Sequence, residues 1–516
     1  MKAIASFLLF FVISLSTFSQ LQTITNLSYG SLTIIPQGIS SSNTDPSKTT
    51  SNVAIGRFTL NANTTGNFNT AIGGAALGNN TSGYENAASG IGSLSSNISG
   101  NNNTASGAYS LAQNTAGNNN TATGYYSLVA NSSGSYNTAN GERSLGQNET
   151  GNYNTASGNY TLLQNTSGDR NTAMGYRALV LNQTGEHNTA TGLLALDANT
   201  TGNYNSATGL FALSENTTGS HNIAIGNRAL FQSINGENNS AIGNEALLGN
   251  KSGSNNTAHG SYALNRHISG DYNTGTGYLA LYLDTTGNYN TAVGSGALYE
   301  NGSGNYNTAA SNSLFSNITG HRNTAIGYNA DVDSVNLSNA TAIGFTAKAL
   351  YSNSIRIGNS SITAADIQVA WSVSSDKRWK DNVRTIPLGL DFIKELKPVS
   401  YYRKNNEKKE LEFGLIAQEL EATLNEYGFA TNELGLLNKG SDGYFSVRYN
   451  DFIPIVIKAV QEQQVLLNGH KELIEKHDSQ FQEQEIRLSQ LTAEIGEIEA
   501  LLSLNEAKFK ASNKYK

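Results

Sequence analysis

The sequence predicts a mostly β protein: a β-roll or β-solenoid of seventeen-residue coils, then a small α/β domain and a C-terminal coiled coil. Three observations lead to this prediction. An asparagine recurs every seventeen residues, the composition shifts towards Lys, Arg and Glu after Gly358, and apolar residues near the end recur every seven residues. A strict repeat indicates stacked structural coils, and a seven-residue apolar repeat indicates a coiled coil.

The composition of the 516-residue chain excludes several classes of protein. A net charge of −7 argues against nucleic-acid binding, because that needs a basic face. With no cysteine, the chain has neither disulfides nor thiolate metal sites, and we expect no cofactor and no metal. The 52 glycines indicate many tight turns, and hence β structure with short connections.

Residues 1–19 are typical of a signal peptide. Lys2 precedes an apolar stretch from Ala3 to about Ser14, and small residues precede a cleavage site after Ser19. The alternative is a buried N-terminal helix or strand. No later stretch is apolar enough to cross a bilayer, so we expect no transmembrane anchor after signal removal. The expected location is secreted or cell surface.

The repeat fills residues 52–360, after an N-terminal linker or first strands at residues 20–51. Its anchoring asparagines are Asn52, Asn69, Asn86, Asn103, Asn120, Asn137, Asn154, Asn171, Asn188, Asn205, Asn222, Asn239, Asn256, Asn273, Asn290 and Asn307. Glycine follows four residues later and leucine eight residues later, through to Gly294 and Leu298. We expect two short strands and two turns per coil, glycines at the corners, and an asparagine amide ladder along the axis.

The predicted core of one coil stack is poor in apolar residues. Each unit offers one alanine, one leucine and one variable position, which is Ile72 in one coil and His259 in another. Because domains with poor cores need staples or partners, we expect a homotrimer. A monomeric solenoid is the alternative.

The repeat also carries a family resemblance. The pentads NTAIG (Asn69–Gly73) and NSAIG (Asn239–Gly243) and the segment SNATAIG (Ser338–Gly344) resemble the head repeats of trimeric autotransporter adhesins. In that family three chains wind in parallel as β-rolls. The resemblance therefore implies a trimeric surface protein.

The region after the repeat alternates between strand and helix patterns. Strands are predicted at Ser354–Gly358, Ala365–Val373, Val399–Lys404 and Tyr444–Asp451, a helix at Pro387–Pro398, and a strand followed by a helix at Phe413–Gly428. Residues 361–374 form a connector, and residues 375–452 form the small domain. A coiled coil follows at residues 453–508, and residues 509–516 are a tail.

The coiled coil is predicted from apolar residues in one phase. These are Ile453, Val460, Leu467, Ile474, Phe481, Leu488, Ile495 and Leu502. Many of the residues three positions after each of these are polar. Polar layers in a coiled coil fix the register and the number of strands, at some loss of stability. Two of these polar residues, His470 and His477, form either a ligand or pH-sensitive layer or ordinary hydrated polar layers.

A serine and a lysine stand at the junction of the two regions. All seven histidines lie outside Ser374–Asp451, so a Ser-His-Asp triad is excluded there. A Ser-Lys pair, Ser375 with Lys380, remains available. The lysine would then have to lose its proton near neutral pH, which burial or a nearby cation such as Arg378 favours. By spacing alone, a solvated turn is the better explanation of the segment.

Here a second resemblance applies. The segment SDKRWK (Ser375–Lys380) resembles the SDxRxK signature of the endosialidase-type intramolecular chaperone, a self-cleaving serine-lysine peptidase of tail spikes and fibres. GLIAQELE (Gly414–Glu421), Tyr449–Phe452 and the terminal coiled coil resemble it in the same order. In that family the domain trimerises, drives folding of the fibre ahead of it and then cuts itself off.

The resemblance implies a role for several residues. Ser375 would be the nucleophile, Lys380 its general base, and the bond from Ser374 to Ser375 the cleavage site. Asp376 and Arg378 match motif positions without an assigned role. The enzyme activity would be one self-cleavage, with no external substrate.

These observations favour an exported trimeric fibre or adhesin-like protein whose partners are its own copies and an unknown surface ligand, either glycan or protein. One alternative is an ice- or surface-binding solenoid that uses threonine arrays. These arrays include Thr104, Thr121, Thr138 and Thr155. The other alternative is a glycan-degrading enzyme, which would need paired carboxylates.

Overall fold

The computed structural model describes residues 52–362, 364–366, 368, 373–404, 409–430, 433–440 and 443–513. The chain divides into two compact units, the first ending at Asn359 and the second beginning at Ser360. The predicted signal peptide and N-terminal linker lie outside the described residues, as does much of the predicted strand Ala365–Val373.

The first unit is a β-solenoid in which each regular coil contributes one strand of three residues. The strands β1 to β17 are Val53–Ile55, Thr70–Ile72, Ala87–Ser89, Thr104–Ser106, Thr121–Thr123, Thr138–Asn140, Thr155–Ser157, Thr172–Met174, Thr189–Thr191, Ser206–Thr208, Ile223–Ile225, Ser240–Ile242, Thr257–His259, Thr274–Thr276, Thr291–Val293, Thr308–Ala310 and Thr324–Ile326. The strands β18 to β21 are Asp331–Val332, Ala340–Ile343, Lys348–Ala349 and Ser354–Ile357. The predicted solenoid is confirmed.

All neighbouring strands in this unit pair in parallel and in register. Within residues 52–362, a sheet of 19 strands comprises β1 to β17, β19 and β21, and β18 pairs with β20 beside it. Ala173 pairs with Ala190, for example, one full coil further on. Equivalent residues therefore form straight rows along the solenoid axis.

The expectation of two strands per coil was wrong. On the side of the coil that follows each strand, Arg177 and Leu179 have φ angles of 57° and 54°, and the equivalent residues of other coils are also left-handed. Backbone hydrogen bonds still join the coils there, with Leu179 N donating to Ala195 O at 3.0 Å. Because left-handed residues interrupt the extended backbone, this side consists of turns.

The core of the solenoid is closed within a single chain. In the coil from Asn171 to His187, Ala173, Ala178 and Leu179 are fully buried, and the same positions recur in one continuous cluster. The buried apolar residues of a regular coil are mainly alanine and leucine, as the sequence predicted. Polar ladders occupy the space that these residues do not fill.

Two asparagine ladders run through the interior. In the predicted ladder, Asn171 N donates to Asn154 Oδ1 at 2.9 Å. A second ladder lies eleven residues further along each coil, where Asn182 Nδ2 donates to Asn165 Oδ1 at 2.7 Å. The two ladders share a carbonyl acceptor in a regular coil. Asn171 Nδ2 and Asn182 Nδ2 both donate to Gly185 O, at 2.8 and 2.9 Å. The predicted ladder is confirmed, and sequence analysis missed the second.

The closing glycine of each coil is required by this convergence. A Cβ atom added at Gly185 would lie 2.5 Å from Gly202 O and 2.9 Å from Asn199 Nδ2. The first glycine, Gly175, has a φ of 128°, and a Cβ atom added there would lie 2.5 Å from Gly192 O. Close approach therefore constrains both glycines of the coil, and positive φ constrains the first as well.

The second ladder is irregular near its C-terminal end. Ser233 replaces one asparagine, and its Oγ and the Oδ1 atoms of Asn216 and Asn250 are buried without a hydrogen-bond partner. His267 and Asp284 replace two more, and both side chains are fully buried. His267 Nδ1 lies 2.7 Å from Asp284 Oδ2, and His267 Nε2 lies 2.7 Å from Gly270 O.

The second unit contains three helices and two antiparallel hairpins among its described residues. The helices are α1 (Leu390–Glu395), α2 (Ala417–Glu426) and α3 (Phe452–Ser512), and one-turn 3₁₀ helices lie at Lys377–Trp379 and Tyr449–Asp451. One hairpin pairs β22 (Val399–Tyr402) with β23 (Leu411–Gly414), and the other pairs β24 (Leu437–Lys439) with β25 (Phe445–Val447). These elements confirm the alternating pattern predicted from the sequence.

The start of α3 completes the core of this unit. Phe392 of α1 is fully buried in a cluster that includes Leu420 of α2 and Ile455 of α3. Glu462 Oε2 accepts a hydrogen bond from Leu390 N at 2.7 Å, so a carboxylate caps the N-terminus of α1. This contact and the nearby Lys458 contribute to lowering the pKa of Glu462.

Candidate functional site

The predicted Ser-Lys pair flanks a single 3₁₀ turn. The turn Lys377–Trp379 begins after Asp376 and ends before Lys380, whose N–H donates to Lys377 O at 3.0 Å. Ser375 and Lys380 therefore sit on either side of the turn. Five residues apart, they would share no face of a regular strand or helix, but a turn reverses the chain between them.

The turn brings the two functional groups together. Lys380 Nζ donates to Ser375 Oγ at 2.7 Å. Both side chains are exposed in the single chain. This separation is within the range that proton transfer from a serine nucleophile to a lysine base needs, and the catalytic role of each residue stays a prediction.

Asp376 and Arg378 form a clamp across the same turn. Asp376 Oδ1 accepts from Arg378 N at 2.9 Å and from Arg378 Nε at 3.1 Å, and Asp376 Oδ2 accepts from Arg378 Nη2 at 2.8 Å. The Arg378 side chain and then its backbone N–H lower the pKa of Asp376. In return, the carboxylate raises the pKa of Arg378. We call these two residues the Asp376–Arg378 clamp.

Two other motifs from the sequence meet in this unit. Gly414 ends β23 and opens the segment GLIAQELE, and Tyr449 begins the second 3₁₀ turn. Leu415 N donates to Tyr449 Oη at 2.9 Å, which joins the two motifs directly. Neither this bond nor the cap of α1 by Glu462 could be read from spacing, because both join residues distant in sequence.

One stretch of this unit matches the model of a known family. Residues 375–429 match Peptidase_S74, the chaperone of endosialidase. The match begins at Ser375 and runs through α1, β22, β23 and α2. We call the unit from Ser375 to Ile455 the chaperone domain, since its buried core continues past the matched residues to Ile455.

A β-solenoid followed by a chaperone domain fits a tail fibre or spike-like protein, and the family implies a self-cleaving intramolecular chaperone in general. The search of curated proteins gave no match to this chain. In the part of the chain that the structure describes, no helix has the length and apolar character needed to span a membrane. The same residues contain no group of three or more His, Asp or Glu side chains that could hold a metal ion.

Proposed function

We propose that the protein is an exported trimeric fibre, adhesin-like in its surface role, whose chaperone domain aligns three chains and then removes itself by cleavage beside Ser375. The observation that carries this proposal is the 2.7 Å contact between Lys380 Nζ and Ser375 Oγ at the first residue of the family match. The surface ligand is a glycan or a protein.

Cleavage proceeds through an ester. Lys380 Nζ, in its neutral form, takes the hydroxyl proton of Ser375 as Oγ attacks the carbonyl carbon of Ser374. The C–N bond between Ser374 and Ser375 breaks, and the departing nitrogen takes the proton from Lys380. Water then hydrolyses the ester, which leaves a carboxylate on Ser374 and restores the Ser375 hydroxyl. The reaction occurs once per chain.

The long helix α3 supports association of several chains. Its heptad residues Ile474, Phe481 and Leu488 are exposed by 60, 67 and 65% in the single chain. A helix of 61 residues with an apolar row at every seventh position is stable in water when that row packs against other copies. The partner is a second and third copy of the chain, because the row is continuous and in one heptad phase.

A register-setting end is useful to a repetitive fibre. A slip of one coil between three chains exchanges nearly equivalent residues, so the repeats themselves oppose it weakly. The chaperone domain and α3 lack the seventeen-residue repeat and can align the chains in one register. Removal of this end after folding leaves the fibre kinetically trapped, since the unit that set the register is gone.

The oligomeric state tests this proposal. In a chain that carries Ser375→Ala to retain α3, we expect a trimer by sedimentation equilibrium. Ile474→Asp combined with Phe481→Asp places charges in the apolar row and should give monomers. Gln482→Asp, one residue beyond that row, is the matched control and should stay trimeric. A chain that is monomeric at micromolar concentration with α3 intact would refute the trimer.

The exposed face of the sheet supports a second candidate function. Thr104, Thr121, Thr138 and Thr155 are exposed and pair in register on β4 to β7. Such a flat row of hydroxyl and methyl groups suits an ice or mineral surface. Thermal hysteresis in the purified solenoid would favour this alternative. We expect none, because this row gives way to Ile223 and other residue types further along the sheet.

A further inference from the structure

The turn between Ser375 and Lys380 is held by its own hydrogen bonds. Every residue from Val373 to Thr385 is exposed, so side-chain packing within the described chain does not fix this segment. The bonds that define the turn are those of Asp376 and Arg378, together with Lys380 N to Lys377 O at 3.0 Å and Trp379 N to Asp376 O at 3.1 Å.

We infer that the Asp376–Arg378 clamp positions Lys380 against Ser375, so that both clamp residues act in self-cleavage through the geometry of the turn. This inference rests on the proposed self-cleavage. Asp376 lies next to the nucleophile in the chain, and Arg378 lies two residues before the base. The clamp spans the backbone between the two reacting groups, and its removal frees the torsions that set their separation.

The two residues contribute in different ways. Asp376 Oδ1 caps the turn by accepting from Arg378 N, a role that an asparagine oxygen also fills. The paired contacts of Arg378 Nε and Nη2 with the two carboxylate oxygens need a planar guanidinium. A lysine at position 378 keeps the charge but cannot form this fork. The cap and the fork can therefore be tested separately.

The charge of the clamp persists across the pH range of ordinary experiments. Because Arg378 lowers the pKa of Asp376, the carboxylate stays ionised through the pH range in which an aspartate ordinarily titrates, and it is neutralised only as the pH falls through this lowered value. A change of cleavage rate between neutral and alkaline pH would then report on other groups. The conservative variants should lower the rate without changing the shape of that pH profile.

The experiment follows cleavage of the full chain after cell-free synthesis, as conversion of full-length chain into fragments on denaturing gels. Asp376→Ala and Arg378→Ala should slow cleavage by about 100-fold, the effect expected of a displacement near 1 Å. Asp376→Asn, which keeps the cap, and Arg378→Lys, which keeps the charge, should each recover part of that loss. Light scattering on the same samples measures assembly.

The control is Arg384→Ala. Arg384 Nε donates to Asn382 Oδ1 at 3.0 Å, a contact over two residues like that of the clamp but outside the turn. Cleavage at the normal rate in this variant and slow cleavage in the clamp variants would support the inference. Normal rates in assembled Asp376→Ala and Arg378→Ala chains would overturn it.

Two further outcomes are decisive. If the alanine variants fail to assemble, Asp376→Asn and Arg378→Lys provide the test. Slowed cleavage in assembled chains of these variants supports the inference, and cleavage at the normal rate overturns it. If the unmodified chain is not cut at all, or Ser375→Ala is cut at the same bond, self-cleavage by Ser375 fails and the clamp has no reaction to position. That result is distinct from normal cleavage in the clamp variants.

Discussion

Ser375→Ala will leave the chain uncut between Ser374 and Ser375. The variant loses the nucleophile, and removal of such a group lowers the rate by roughly six orders of magnitude in well-characterised serine peptidases. Intact mass spectrometry of the purified protein measures the result, because the unmodified chain should give two fragments and the variant one. Removal of the signal peptide would appear in the same spectrum as the loss of the mass of residues 1–19.

Two further variants separate chemistry from folding. Lys380→Met keeps much of the side-chain length but removes the amine, and it should also leave the chain uncut. Ser400→Ala replaces another exposed serine, on β22 away from the turn, and should be cut normally. Trimming of Ser375→Ala at the same bond would show that Ser375 is not the nucleophile.

His267→Asn will destabilise the solenoid much more than Asp284→Asn. His267 contacts Asp284 Oδ2 through Nδ1 and Gly270 O through Nε2, each at 2.7 Å, and both side chains are fully buried. Removal of the histidine alone takes from the buried acid its ion-pair partner, a change that costs about 3–5 kcal/mol. Asp284→Asn keeps an imidazole whose Nδ1 can accept from the new amide, and we expect a smaller loss.

The double variant is the control for this prediction. With asparagine at both positions the second ladder is regular across Asn250 and Asn301, and the unpaired Asn250 Oδ1 gains a donor. The double variant should therefore be at least as stable as the natural chain. Thermal unfolding and hydrogen exchange in these coils measure the changes. Equal losses in the two single variants would contradict the ion-pair interpretation.

The sequence predicted the parts of the fold that repeat. A strict spacing of asparagine and glycine was enough to predict stacked coils, the ladder through Asn171 and the close approach at Gly185. The left-handed backbone at leucine was not predictable. The left-handed conformation costs a residue such as Leu179 roughly 1–2 kcal/mol of conformational free energy. They are retained there because glycine, which adopts it freely, would leave the core empty.

The candidate site was predictable only in part. A resemblance in the residues from Ser375 to Lys380 placed the nucleophile and base side by side, and the structure brings those groups together. The contacts of the neighbouring residues could not be predicted from the sequence. The clamp depends on the rotamers of Asp376 and Arg378, and the cap of α1 by Glu462 joins residues 72 positions apart.

The parallel, in-register stacking of the coils has a mechanical consequence. The hydrogen bonds between coils run along the solenoid axis, so tension applied to the two ends loads them one row after another. Each released coil of seventeen residues extends from about 4.8 Å to nearly 60 Å of chain. A solenoid held at both ends would therefore lengthen under tension in equal steps, one coil at a time.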